Sequence, residues 1–418
     1  MSRLPMPADA RPPLEDERSR ERSHPRILEL DGLRGVSVIL VLAFHVGFIA
    51  GIDRGRYIPT LPVGTAVGAA GSPGIFESLV ARGYVGVLVF FVLSGFLIAG
   101  PFIRWRLCGD DPVPIGRYLA RRFMRIEPPY VVAMIASFAL LRLLSPLSGW
   151  SLGASLLHIH QAVYGSASPW NAPAWSLEVE AQWYLAVPLI AYVLSSRSSG
   201  RRYLIATGLI VAALCFQASA DLATTRTDAT LLSWLQFFLV GWLAADILLT
   251  STIGGRLGTR GWDIVGAVGW PALFVIAGRW SLQVTIAPAL IALLLVAALR
   301  GPVSGRLLRQ RWLVWTGRIS FSIYLVHYPV FLLLRWRIGP APAFSFGAEF
   351  AFWAIVLVPV TLAVSAVFHR LIERPFAEER WRTWLTDGIW RPERRAVDVA
   401  RLETDTAPSS IAPPATVP

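Results

Sequence analysis

The chain has 418 residues, of which 54% are hydrophobic and only 16% charged, with a formal net charge of +12. Soluble domains carry about a quarter charged residues; here the apolar residues gather into long stretches split by short Arg-rich ones, the pattern of repeated bilayer crossings. All 39 basic residues are Arg, which excludes Lys chemistry such as a Schiff base, and no basic module stands apart to mark a nucleic-acid-binding protein.

In chain order, residues 1–26 are rich in Pro, Arg and Glu and read as a disordered N-terminus. They hold no apolar core before Ile27, so they are not a signal peptide. Ten apolar stretches then predict membrane helices, at about 35–52, 84–103, 129–145, 175–194, 203–220, 231–250, 262–278, 283–299, 319–336 and 349–369. Loops after the second, fourth, sixth and eighth are rich in Arg, while the intervening ones are poor. The positive-inside rule places the rich loops and both termini in the cytoplasm. The predicted fold is therefore all-α: a polytopic transmembrane bundle of about ten spans over residues 27–382, followed by a disordered cytoplasmic tail, 383–418. No internal repeat is visible, so a repeat-built transporter has no direct support. Cys108 and Cys215 define neither a disulfide framework nor a metal site.

Five segments carry candidate chemistry. The first is Asp31-Gly32-Leu33-Arg34-Gly35, running on to His45. Arg34 and His45 are eleven residues apart, which on a helix leaves about 20° of residual rotation and roughly 16 Å of rise. Both then project from one face, Arg34 near the cytoplasm and His45 past the midplane. An ionisable group inside a span is costly, so His45 is a functional candidate; interhelical hydrogen bonding is the competing reading. Arg34 alone reads more readily as a topology anchor.

The second is Phe90-Phe91-Val92-Leu93-Ser94-Gly95-Phe96, where Ser94 and Gly95 suit close helix packing more readily than direct chemistry. The third contains Arg121, Arg122 and Arg125. Arg122 and Arg125 lie three apart and share a face if helical, and paired guanidinium groups suit phosphate. The fourth is Trp175-Ser176-Leu177-Glu178-Val179-Glu180. Glu178 complements a helix N-terminus, whereas Glu180 enters the span without a cation nearby in sequence and is placed to meet His45. In the fifth, Ser320, Tyr324 and His327 form one polar stripe, which must face protein or a cavity. His158 and His160 form a His-x-His, but no third ligand pattern accompanies them, and no metal is expected.

Together these segments resemble the acyltransferase 3 family of bacterial membrane acyltransferases, over about Leu28 to Phe376. The resemblance implies about ten spans, an acyl-coenzyme A donor, and transfer of acetyl or a similar short acyl group to a hydroxyl. Family acceptors include cell-surface glycans, glycolipids and macrolide-like natural products. It also implies residence in the bacterial cytoplasmic membrane. Arg34 and His45 match the family's signature catalytic motif, and Arg122 and Arg125 its second. Many relatives carry an added C-terminal domain, and its absence from this sequence points to direct transfer onto the final acceptor.

The expected mechanism has Arg121, Arg122 and Arg125 holding the donor's phosphates and His45 acting as general base. Glu180 orients His45 or stabilises its imidazolium, and Arg34 gates the donor or stabilises negative charge. Ser94, Trp175, Tyr324 and His327 line the substrate path. A covalent acyl-His route is equally consistent with the residues. The rival class is a transporter or flippase of an acylated or glycan substrate, since buried charge suits a permeation path too. Trp150, Tyr164 and Trp170, in the expected outer loop, are candidates for stacking on an acceptor sugar.

Overall fold

Lipid cannot hydrogen-bond a peptide group, so an apolar chain must pair its backbone locally, and a helix does this within one segment. A computed structural model describes residues 27–52, 74–142, 149–219, 229–250, 259–340 and 345–378, and among these there is no strand. The expected disordered termini, 1–26 and 383–418, lie outside the described residues. The ten principal helices are α1 (Leu28–Ile52), α2 (Val85–Ile103), α3 (Ile115–Leu141), α4 (Trp175–Val193), α5 (Ser199–Ser219), α6 (Leu231–Thr250), α7 (Thr259–Ile276), α8 (Ala287–Arg300), α9 (Ser320–Ile338) and α10 (Phe346–Phe368).

Each predicted apolar stretch is thus largely helical over its described residues, with a break at Ile286; 143–145 and 220 lie outside them. Six helices are long and apolar enough to cross a membrane: α1, α2, α3, α5, α6 and α10. The number rises to eight if α8 is joined to Pro302–Leu308 across an 89° bend, and Arg311–Arg318 to α9 across a 73° bend. The chain is a multi-pass membrane protein. α4 and α7 fall outside that number for a compositional reason. α4 carries Glu178, Glu180 and Gln182, and α7 opens on Arg260 and Asp263.

Two helix starts differ from the sequence reading. α1 begins at Leu28, so the Asp-Gly-Leu-Arg-Gly run forms its first turns rather than a lead-in loop. α3 begins at Ile115 and runs through Pro128 and Pro129 without a break. Arg121, Arg122 and Arg125 therefore stand on a helix, not in a loop. Arg122 and Arg125 lie about 10 and 15 Å beyond the helix start, at 1.5 Å per residue. The sequence signal for a boundary was the proline pair, which removes two backbone donors. Neighbouring helices stabilise such interruptions in membrane proteins.

α2 packs most extensively on α6, and α1 on Arg311–Arg318. A buried Arg202–Asp246 ion pair ties α5 to α6, with Nε to Oδ2 at 2.7 Å and Nη2 to Oδ1 at 2.8 Å.

Residues 149–174 turn back into the protein. Tyr130 donates to Ser155 O (2.6 Å), and His158 Nε2 lies 2.8 Å from Glu127 Oε1. Glu127 precedes the end of α3 by about 21 Å of helix, so this segment lines the interior. Trp170 is accordingly 0% exposed and donates to Ser151 Oγ (2.9 Å), which removes it as a sugar-stacking platform. Trp150 and Tyr164 stay exposed.

Candidate active site

One cavity gathers most of the candidate residues. It has room for about 110 Å³ between α1, α2, α3, α4 and α9, and its wall includes Arg34, Ser94, Arg122, Arg125, Glu180 and Tyr324.

Each is positioned by a local rule. Arg34 stands between two glycines at which helices approach closely. A Cβ at Gly32 would lie 1.9 Å from Leu308 O, and one at Gly35 2.3 Å from Leu313 O. Only glycine lets α1 sit against those carbonyls, and that contact fixes the base of the Arg34 side chain. Arg122 and Arg125 stand one turn apart on α3. The Arg122 guanidinium lies over the rings of Tyr118 (5.9 Å) and Tyr184 (5.6 Å), which hold it by cation–π attraction. Ser176 and Glu180 share a face of α4. Ser94 Oγ donates to Glu180 Oε1 (3.1 Å), and the Tyr184 hydroxyl donates to the same oxygen. Tyr324 is fixed by a 2.7 Å hydrogen bond to Ser176 Oγ and by donation to Pro173 O. Asn171 Nδ2 donates to Leu325 O (2.8 Å), docking the inward-turning segment on α9.

The electrostatics follow from this inventory. The cavity wall holds three guanidinium groups and one carboxyl group. Asp31 and Glu373, also within electrostatic reach of Arg34, have partners of their own. Asp31 pairs with Arg318 (3.3 Å), and Glu373 accepts from Ser322 (2.5 Å) and meets His369 Nδ1 at 2.9 Å. The cavity is thus a cationic chamber with a predominantly apolar lining, suited to an anion with an uncharged arm.

His45 does not line this chamber. Its ring packs against His327 (centroids 4.8 Å apart) and Tyr328 (5.8 Å). His327 in turn lies 5.8 Å from Tyr324 on the chamber wall. A continuous string of side chains therefore links the two. His45 Nδ1 lies 2.9 Å from Val41 O, and His327 Nδ1 2.8 Å from Tyr324 O. A carbonyl accepts only, so each Nδ1 carries the proton and each Nε2 keeps its lone pair. His327 Nε2 is buried with no hydrogen-bond partner among the described residues.

Glu180 bonds Ser94 and Tyr184 rather than His45. Arg121 is on α3 but not in the chamber wall, and Trp175 packs edge-to-face on Phe91 and at a tilt on Trp234 beside it. Sequence reasoning missed Tyr118 and Asn171 as positioning residues, and gave Tyr184 no role. Asn171 acts through a tertiary contact that left no sequence signal, whereas Tyr118 and Tyr184 stand four residues from Arg122 and Glu180 on the same helices, a spacing that could have found them. Among the described residues no group of three or more His, Cys, Asp or Glu could hold a metal ion.

A family model described as an acyltransferase domain matches residues 27–370. The chain belongs to the acyltransferase 3 family. It is an acyltransferase. Among relatives of this acyltransferase, the acyltransferase MdmB of Streptomyces mycarofaciens is 28% identical over 379 residues, 84% of this chain and 91% of the relative. The O-acetyltransferase OatA of Staphylococcus aureus is 22% identical over 86% of this chain and 59% of its own length. The putative peptidoglycan O-acetyltransferase YrhL of Bacillus subtilis is 24% identical over 86% of this chain and 56% of its own. The acyltransferase thus spans little more than half of the latter two. No solved structure matches it.

Proposed function

We propose that this acyltransferase moves an acetyl or similar short acyl group from acyl-coenzyme A to a hydroxyl of a glycan, glycolipid or macrolide-like acceptor. The observation that carries the reading is the chamber in which Arg34, Arg122 and Arg125 converge on Glu180, Ser94 and Tyr324. Its cationic character suits the donor's phosphates, and its apolar lining suits the uncharged arm that bears the thioester. In this reading all ten principal helices cross the bacterial cytoplasmic membrane, both termini are cytoplasmic, and the donor enters from that side.

The acceptor oxygen attacks the thioester carbonyl carbon, forming a C–O bond as the C–S bond breaks. His45, through Nε2, takes the hydroxyl proton and returns it to the departing thiolate. Arg34 faces the negative charge that develops on the carbonyl oxygen. His45 stands behind the chamber wall, beyond Tyr324 and His327, so in this reading the attacking hydroxyl extends past Tyr324 to reach it.

The test is acyl transfer in membrane vesicles from radiolabelled acetyl-coenzyme A to extracted cell-envelope and natural-product fractions. His45→Gln is expected to lower turnover by about 10²–10⁴-fold, the usual contribution of a general base. Turnover close to the parent's in a correctly inserted variant would refute the role of His45. Uncoupled substrate flux without label transfer would favour a transporter.

A further inference from the structure

A second cavity lies beside the first, with room for about 600 Å³ between α3, α4 and the turn joining Trp150–Leu156 to His160–Tyr164. The two share Arg122, Ile126, Leu177, Glu180 and Tyr184 as a common wall. Their polar groups differ in kind. The first has three guanidinium groups against one carboxyl; the second has one, Arg122, against the carboxyl groups of Glu127, Glu178 and Glu180. A polyphosphate donor is favoured in the first and disfavoured in the second.

The rest of the second wall is apolar. Phe123 on α3, Leu185 on α4, and Leu157 and Ile159 of the turn belong to it and are exposed. In a membrane protein such apolar surface faces lipid. A solute dissolved in the bilayer therefore reaches this cavity without crossing water.

One feature of the wall is built for a polar ligand. His158 has φ 55°, a conformation that L residues rarely adopt. Its ring stacks on Tyr130 at 4.3 Å, and its Nε2 lies 2.8 Å from Glu127 Oε1. Its Nδ1 is buried with no hydrogen-bond partner among the described residues. With the Nε2 proton donated to the carboxylate, Nδ1 holds a lone pair that can accept from a hydroxyl. Backbone strain and an orphaned buried nitrogen on one cavity-lining residue point to a ligand rather than to packing.

We propose that the second cavity holds the acceptor, an amphipathic and mainly apolar molecule bearing hydroxyl groups, which enters from the lipid phase between α3 and α4 and hydrogen-bonds His158. The proposal rests on the acyl-transfer reading above and narrows it: the acceptor hydroxyl reaches the donor chamber across the shared wall, and a fully hydrophilic glycan is disfavoured.

The experiment uses the full chain in phospholipid vesicles and a diazirine-bearing long-chain alkyl glucoside as photoprobe, with crosslinked peptides mapped. Crosslinks are expected to concentrate in 119–127, 157–159 and 181–185. Ala181→Trp, which fills the cavity, and Leu157→Trp, which narrows its rim at an exposed position, should each cut that labelling about tenfold, equivalent to ~1.4 kcal/mol. Acetyl-coenzyme A binding, read as a thermal shift, should not change in either. Competition by a glycolipid or by a macrocyclic lactone polyol identifies the source of the acceptor. Crosslinks spread evenly over the lipid-exposed helices and indifferent to both substitutions would overturn the proposal, as would equal competition by a short chitin oligosaccharide. Loss of acetyl-coenzyme A binding in the parent protein would instead overturn the donor reading, and the labelling pattern would still judge the second cavity.

Discussion

Gly32→Ala tests what seats Arg34. The added Cβ would lie 1.9 Å from Leu308 O, 2.7 Å from its carbonyl carbon and 3.0 Å from its Cα, all backbone atoms. To restore even 3.0 Å to the oxygen, α1 and Pro302–Leu308 must part by 3.0 − 1.9 = 1.1 Å. Overpacking of this kind costs about 1–3 kcal/mol. Replacing glycine within a helix returns up to ~1 kcal/mol. The upper part of the cost range applies, because no flexible side chain can yield, and the net loss is about 1–2 kcal/mol. Arg34 is two residues away, and a 1 Å misplacement of a positioning group costs about 10²-fold in rate. The assay is thermal unfolding in nanodiscs, followed by tryptophan fluorescence, beside acyl transfer from labelled donor. Gly208→Ala on α5 is the control. A Cβ there meets nothing within 4 Å, so stability should hold or rise. A Gly32→Ala protein that melts and turns over like its parent would refute the argument.

Arg122→Gln and Arg125→Gln should each raise the KM for acetyl-coenzyme A by about 10- to 100-fold, the worth of a charge-assisted hydrogen bond of ~1.5–3 kcal/mol. Steady-state kinetics at fixed acceptor check this, and an unaltered KM removes the phosphate role. Asp246→Ala should destabilise by about 3–5 kcal/mol by leaving Arg202 buried without its partner. Thermal unfolding reads the loss, and Arg202→Leu combined with Asp246→Leu should recover part of it. Burial holds the His160 imidazole below its ordinary pKa, against the opposing effect of its hydrogen bond to Ser166 O. The unfolded chain then binds this proton more readily than the folded one. Stability should fall as pH drops below about 6.5 and be unaffected above it. His160→Gln should remove that part of the pH dependence, seen by comparing unfolding midpoints at acid and neutral pH.

The helices were legible because apolar stretches in lipid have few alternatives. So was the placement of Arg34 and His45 on one helix, since eleven residues are close to three full turns. The start of α3 was not. Pro128 and Pro129 are strong local breakers, and only packing from neighbouring helices overrides them. The inward turn of 149–174 left no periodic trace, because its polar residues are satisfied by distant partners. Ser155 bonds Ser168 at 2.8 Å, and Asn171 bonds a carbonyl on α9. Of the partners of Glu180, Ser94 was out of reach: depth alone made His45 a neighbour, whereas helix rotation gave it Ser94, and only Tyr184, four residues on along α4, was readable. The glycines around Arg34 were visible as letters, but their purpose depends on carbonyls from two short helices almost 300 residues away.

Residues 149–174 follow α3 in the chain yet are built into the interior: Ser155, Trp170 and Asn171 are buried, and His158 lines the second cavity. Wall residues elsewhere are scattered over several helices, where exchanging one disturbs the packing of another. Here a single uninterrupted stretch supplies Leu157, His158 and Ile159 to the second cavity and is tied down at named points: Glu127 and Tyr130 on α3, Glu178 on α4, which accepts from the Gln161 N–H at 3.3 Å, and Leu325 on α9. If those anchors are kept, the stretch is a natural unit for grafting between family members, and substrate preference would be inherited with the insert rather than with the helical frame.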